Sequence, residues 1–123
     1  MARGKHFEDT LSAALRGVFS LMVDPGSVRP SVGWRVQVKE EDLLDAVVRL
    51  FNEIIYLHDV EKAVFCDGEV RAEPTTGGGV VLEAELRGEV FDPSRHCLRS
   101  HLKAATYHLL KVTPLEIQLI FDV

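Results

Sequence analysis

Cysteine is scarce in this sequence: Cys66 and Cys97 are the only two, and no Cys-x-x-Cys spacing joins them. That excludes a redox dithiol motif and a zinc ribbon, and leaves two thiols expected to be reduced and partly buried. No apolar run reaches the length of a membrane span, and the start, Met1-Ala2-Arg3-Gly4-Lys5-His6, lacks the apolar core of a signal peptide. The expectation is a soluble, cytoplasmic protein with no membrane contact. Positive charge is also in short supply. With a formal net charge of −5 and a pI near 5.5, the chain does not read as one that grips a phosphate backbone across a broad face, so RNA is met only indirectly. No P-loop, nucleophile elbow, HExxH or dinucleotide fingerprint occurs, and Gly77-Gly78-Gly79 is not followed by the helix start that a phosphate cradle needs. Intrinsic catalysis is therefore unsupported. Repeats and low-complexity tracts are missing too, and residues 73–79 read as a loop between strands rather than a linker.

What is present is enough for a core. At 123 residues and 46% hydrophobic, the chain is expected to form one domain over residues 1–123. Leu11, Ala14, Leu15, Val18, Phe19 and Met22 recur at helical spacing and predict a helix over 7–22, weakened at Gly17 and stopped by Asp24-Pro25-Gly26. Val32, Trp34, Val36 and Val38 alternate with polar residues, as a half-buried strand does. A second helix is expected to open at Glu40-Glu41-Asp42, where carboxylates suit the positive end of the dipole, and to end at His58-Asp59. Its apolar positions, from Leu43 and Leu44 to Leu57, cover more than half its circumference and make it the most buried helix. Residues 62–72 read as strand with a turn or bulge at Asp67-Gly68, and 80–86 as a long alternating strand. Residues 101–112 fit alternation, while their Leu and Ala content also permits helix; the β-branched and aromatic residues and the Thr113-Pro114 break favour strand. Leu115, Ile117, Leu119 and Phe121 give a last strand. The sum is α+β, with antiparallel sheet and two main helices packed on one side of it.

Candidate functional residues gather towards the C-terminal third. Arg95, His96, Arg99 and His101 form a basic cluster after the Asp92-Pro93 turn. His96, Cys97 and His101 offer two nitrogens and one sulfur, but their intervals match no structural zinc pattern. Lys103 is the only charge in an otherwise apolar alternating run. On a strand it shares a face with Ala105, Tyr107 and Leu109, beside an aromatic ring. Such a lysine either snorkels past the ring or guards a sheet edge, or it is a fixed cation offered to a carboxylate, a phosphate or a partner. Asp122 can give a cation one carboxylate oxygen while the Val123 main chain offers another, short of the six to eight oxygens calcium takes.

Gly88-Glu89, Asp92-x-x-Arg95-His96, Leu102-Lys103-Ala104-Ala105-Thr106-Tyr107-His108 and Ile120-Phe121-Asp122-Val123 together resemble the archease family. Phe7-Glu8-Asp9-Thr10-Leu11, Leu44 and Asn52-Glu53-Ile54-Ile55-Tyr56 support the resemblance, which covers nearly the whole chain. It implies a layered α+β sandwich and a non-catalytic activator of the RNA-splicing ligase that joins tRNA halves, promoting ligase guanylylation and multiple turnover. It further implies that Lys103 and Asp122 are needed for activation. Asp122 and the Val123 main chain would hold Ca2+ or another divalent cation. One departure is plain: the family's first strand, His-Thr-Ala-Asp followed by glycine, whose aspartate is a metal ligand, has no counterpart here. A missing strand would leave a sheet edge open, and a homo-oligomer through that edge is a further expectation. Two rival readings are a chaperone or adaptor for RNA-modifying enzymes and a small metal-dependent hydrolase using His96, His101 and His108.

Overall fold

A computed structural model describes the backbone of residues 2–112 and 117–122 and the side chains of residues 7–106. Helix α1 (Ala2–Met22) is followed by a short 3-10 turn (Pro25–Ser27), strand β1 (Val32–Glu40) and helix α2 (Leu43–Val60). Strands β2 (Ala63–Pro74), β3 (Val80–Val90), β4 (Ala104–Val112) and β5 (Ile117–Asp122) complete the order. β1, β3 and β2 form one antiparallel sheet with β3 in the centre, and β4 pairs antiparallel with β5 in a second. The expected α+β class is thus observed. α1 packs on β2, while α2 touches β1, β2 and β3 on one flank and β4 on another, so the helices share a core with the first sheet and carry the second.

That double packing explains the broad apolar surface of α2. Val47, Val48, Leu50, Phe51, Ile54 and Ile55 are buried, whereas the first-turn Leu43 and Leu44, counted above among the apolar positions of the most buried helix, are open to solvent. The helix begins later than the carboxylate run suggested, because Glu40 still belongs to β1 and Asp42 is the N-cap, its side chain accepting from the Leu44 N–H at 2.7 Å. It also ends later, at Val60. His58 is buried rather than a terminator, with its Nδ1 2.7 Å from the Ala63 carbonyl, which ties the helix end to β2.

The irregularity expected at Asp67-Gly68 lies one residue earlier. Phe65 pairs with Gly88 and Asp67 with Arg87, leaving Cys66 as the extra residue of a bulge. The reason is parity: Phe65 and Val70 both face the core but stand an odd number of residues apart, and one inserted residue puts both on the same face. Gly68 needs no positive φ. A Cβ there would come within 3.1 Å of the Phe19 ring, so the absent side chain is what lets α1 lie close on β2. Phe65 meets the Phe19 ring at 4.9 Å between centroids and Trp34 edge-on at 5.4 Å, joining helix and sheet in one aromatic group.

The outer edge of β2 is occupied by α1. The Ser12 hydroxyl accepts from the Val70 N–H at 2.9 Å, and the Glu8 carboxylate accepts from the Ala72 N–H at 2.8 Å. Main-chain donors that would otherwise invite another strand are thereby satisfied by a helix. β1 carries the other edge of the sheet.

Candidate site at the start of the second sheet

Two groups flagged in the sequence separate in space. The first is Arg95, His96 and Arg99 of the basic cluster, tied off rather than free, while His101 stands with the second. Gly88 lets β3 pass close to β2, and the next residue, Glu89, turns a nearly buried carboxylate onto three partners. Arg95 binds both its oxygens, the Arg29 N–H donates to it at 2.7 Å, and His96 Nε2 lies 3.0 Å away. His96 in turn accepts from the Asp92 N–H on Nδ1 at 2.9 Å, which leaves its proton on Nε2, facing Glu89. The Arg95 hydrogen bond, helped by the Arg29 N–H, holds the Glu89 carboxyl down at about 2. Arg99 is spent on α1, its guanidinium donating to the Ser20 carbonyl at 3.0 Å and its N–H to the Met22 carbonyl. A cationic patch was expected from these residues. The sequence motif Gly-Glu and Asp-x-x-Arg-His instead builds a cross-brace that fixes the path of residues 89–99.

This brace also removes His96 from metal chemistry, since both ring nitrogens are engaged. Cys97 is exposed, not partly buried as expected, and Cys66 is half-buried with its thiol pushed up chiefly by burial. Among the described residues no three His, Cys, Asp or Glu side chains converge as a metal would require. The side chains of His108 and Asp122, and the whole of Val123, lie outside the described residues. The donors that are described do not make up the oxygen shell of a hard divalent cation.

The second group is Lys103. Past the brace the chain runs without regular structure to Lys103, and β4 begins one residue later, at Ala104 rather than at 101. Leu102 is buried, Lys103 exposed and Ala105 buried, so Lys103 does not share the strand face with Ala105 that alternation predicted. The side chains of Tyr107 and Leu109 lie outside the described residues. Tyr56, from α2, lines the same cleft as Lys103: Asn52, Ile55, Tyr56, Asp59 and His101 enclose with it a space of about 400 Å³. A neighbouring groove of about 550 Å³ continues along α2 past Glu53 and the Glu40–Arg49 ion pair, sharing Asn52 and Tyr56.

The β4–β5 register adds the other predicted residue. Ala104 pairs with Asp122, Ala105 with Phe121 and Thr106 with Ile120. Lys103, just outside the ladder, therefore directly precedes the residue that pairs with Asp122, far from it in sequence. Sequence reasoning did not single out Asn52, Tyr56 or Asp59 as cleft residues. One signal was present: asparagine in mid-helix is poorly placed for helix formation and asks for a partner.

Comparison with known proteins agrees with this architecture. The model of the Archease protein family (MTH1598/TM1083) matches residues 1–123. Protein archease of Thermococcus kodakarensis is 38% identical over 112 residues, covering 91% of this chain and 78% of that one. The Pyrococcus abyssi archease is 32% identical over 130 residues, covering 94% and 91%. The solution structure of Methanobacterium thermoautotrophicum protein 1598 superposes with a TM-score of 0.65 at 22% identity, over 84% of this chain and 72% of that one, and so shares the fold. Among the described residues no helix is long and apolar enough to cross a membrane. The chain belongs to the archease family.

Proposed function

We propose that this chain is a non-catalytic activator of the RNA-splicing (tRNA) ligase, promoting guanylylation of the ligase and its return for further turnovers. The observation that carries the reading is the pairing of Ala104 with Asp122 beside an exposed Lys103 that borders a cleft on α2. A lysine ammonium is a compact charge with three donors on a flexible stem, suited to meeting a phosphate or carboxylate that a partner brings. Among the described residues Lys103 makes no hydrogen bond or ion pair. In this reading the ligase makes and breaks every bond, and the activator supplies a fixed cation at the contact.

The test is RNA ligation by the cognate ligase in excess RNA and GTP, with sub-stoichiometric amounts of this chain. Many turnovers per ligase are expected with it and few without. Lys103→Ala is expected to cut the stimulation by about tenfold or more, as loss of one charged contact does, while the urea midpoint stays put because the side chain is exposed. Normal stimulation by Lys103→Ala removes Lys103 from the mechanism; no stimulation by the parent chain rejects the ligase reading.

A further inference from the structure

A contact close to Lys103 comes from another element. Asn52 is in the middle of α2, half-buried, and its Oδ1 accepts from the Ala105 N–H at 2.6 Å while its Nδ2 lies 3.4 Å from the Ala105 carbonyl. The side-chain amide thus faces both main-chain groups of one strand residue, as a peptide group of a neighbouring strand would. Because main-chain groups alternate sides along an antiparallel strand, turning Ala105 towards α2 leaves Ala104 and Thr106 to bond β5, consistent with their pairing to Asp122 and Ile120.

Two consequences follow for Lys103. It sits between buried Leu102 and the clamped Ala105, with irregular chain before it. A slip of one residue at this point would shift Lys103 by about 3.3 Å and reverse which side chains face α2. A hydrogen bond at Ala105 opposes that slip where the ladder begins. Asn52 also lines the cleft that Lys103 borders and the groove that continues from it, so the clamp and the cleft wall are one residue.

We infer that Asn52 is the positioning residue for Lys103, holding the start of β4 on α2 so that the ammonium is presented at a fixed place in the cleft. The functional half rests on the ligase reading above; the clamp itself does not. The experiment uses the full chain labelled with nitrogen-15, comparing the parent with Asn52→Leu, Asn52→Asp, Lys103→Ala and the Asn52→Leu/Lys103→Ala double variant. Amide exchange at Ala105 and ligase stimulation are read on each.

In Asn52→Leu the Ala105 amide is expected to exchange about tenfold faster, as befits the loss of one hydrogen bond. Maximal stimulation is expected to fall about fivefold or more, with the amount giving half effect within about twofold of the parent. In the Lys103→Ala background the same change is expected to add nothing, because the two residues act as one unit. Asn52→Asp keeps the shorter bond but sets an oxygen in place of the Nδ2 donor opposite the Ala105 carbonyl; it is expected to retain most of the Ala105 protection and, with it, most of the stimulation even if the leucine variant does not fold. Unchanged protection of Ala105 in Asn52→Leu overturns the clamp. Full stimulation by Asn52→Leu, a further loss on top of Lys103→Ala, or an Asn52→Asp protein that keeps protection but loses stimulation overturns the positioning role. If the parent chain does not stimulate the ligase, the ligase reading falls on that result alone, while Ala105 exchange still decides the clamp.

Discussion

Gly88 stands where one backbone meets another. A Cβ at this position would lie 1.9 Å from the Val64 carbonyl oxygen and 2.8 Å from the Phe65 Cα, main-chain atoms of the neighbouring strand that cannot rotate aside. Gly88→Ala is therefore expected to cost ~3 kcal/mol or more, or to prevent folding, read as loss of the cooperative urea transition. Gly17 is the opposite case. It lies inside α1, and a methyl group added there would meet nothing within 4 Å, so alanine adds helix propensity without a clash. Gly17→Ala is expected to stabilise the protein by ~0.5–1 kcal/mol in the same measurement. Two glycines in one composition count thus have opposite physical roles, and only the packing around each tells them apart.

At the scale of elements, α1 does more than cover a sheet face. Ser12 is buried, donates to the Glu8 carbonyl at 2.8 Å and accepts from the Val70 N–H, so one hydroxyl joins the helix to the edge of β2. Ser12→Ala leaves that N–H buried without a partner and is expected to cost ~1–3 kcal/mol in chemical denaturation. Ser20→Ala removes only an exposed bond to the Arg16 carbonyl, and should move the midpoint by less than ~0.5 kcal/mol. The apolar period of α1 locates the helix in the sequence, but its polar stripe carries the edge protection, and nothing in the spacing of Glu8 and Ser12 says which strand they meet. The same limit applies to β4. Alternation from Leu102 onwards identifies a strand, yet its first residue is set by Asn52, on an element about fifty positions earlier, and so alternation alone puts Lys103 on a strand face it does not occupy.

For the whole molecule, the fold class was legible because helical and alternating periods are local, and the ways each period can pack are few. The bulge was misplaced because Asp67-Gly68 looks like a turn, whereas the shift obeys the parity of core residues on both sides of Cys66. The basic cluster was misread for a related reason: Arg95 and His96 count as positive in sequence, but Glu89 folds back to meet them. That brace joins the Arg29 loop, the end of β3 and the turn at Asp92, and it gives the protein a pH-dependent joint. Glu89 titrates at about 2 when folded against an ordinary value of 4.5. Its folded value is the lower one, so below about 4.5 the unfolded chain takes up the proton first and each further drop favours unfolding. The contribution of Glu89 is complete above that range, declines as pH falls from about 4.5 towards 2, and is gone below it. Asp92 is held low chiefly by the Ser94 hydrogen bonds, and it pulls in the same direction. Urea midpoints measured from pH 7 to pH 2 are expected to be level at first and then to fall through this window. Glu89→Gln is expected to be less stable at pH 7 and to lose part of that acid slope, since the group that took up the proton is no longer there. A Glu89→Gln protein with the parent's stability at pH 7 and the parent's full slope would show that the brace does not hold these three segments together.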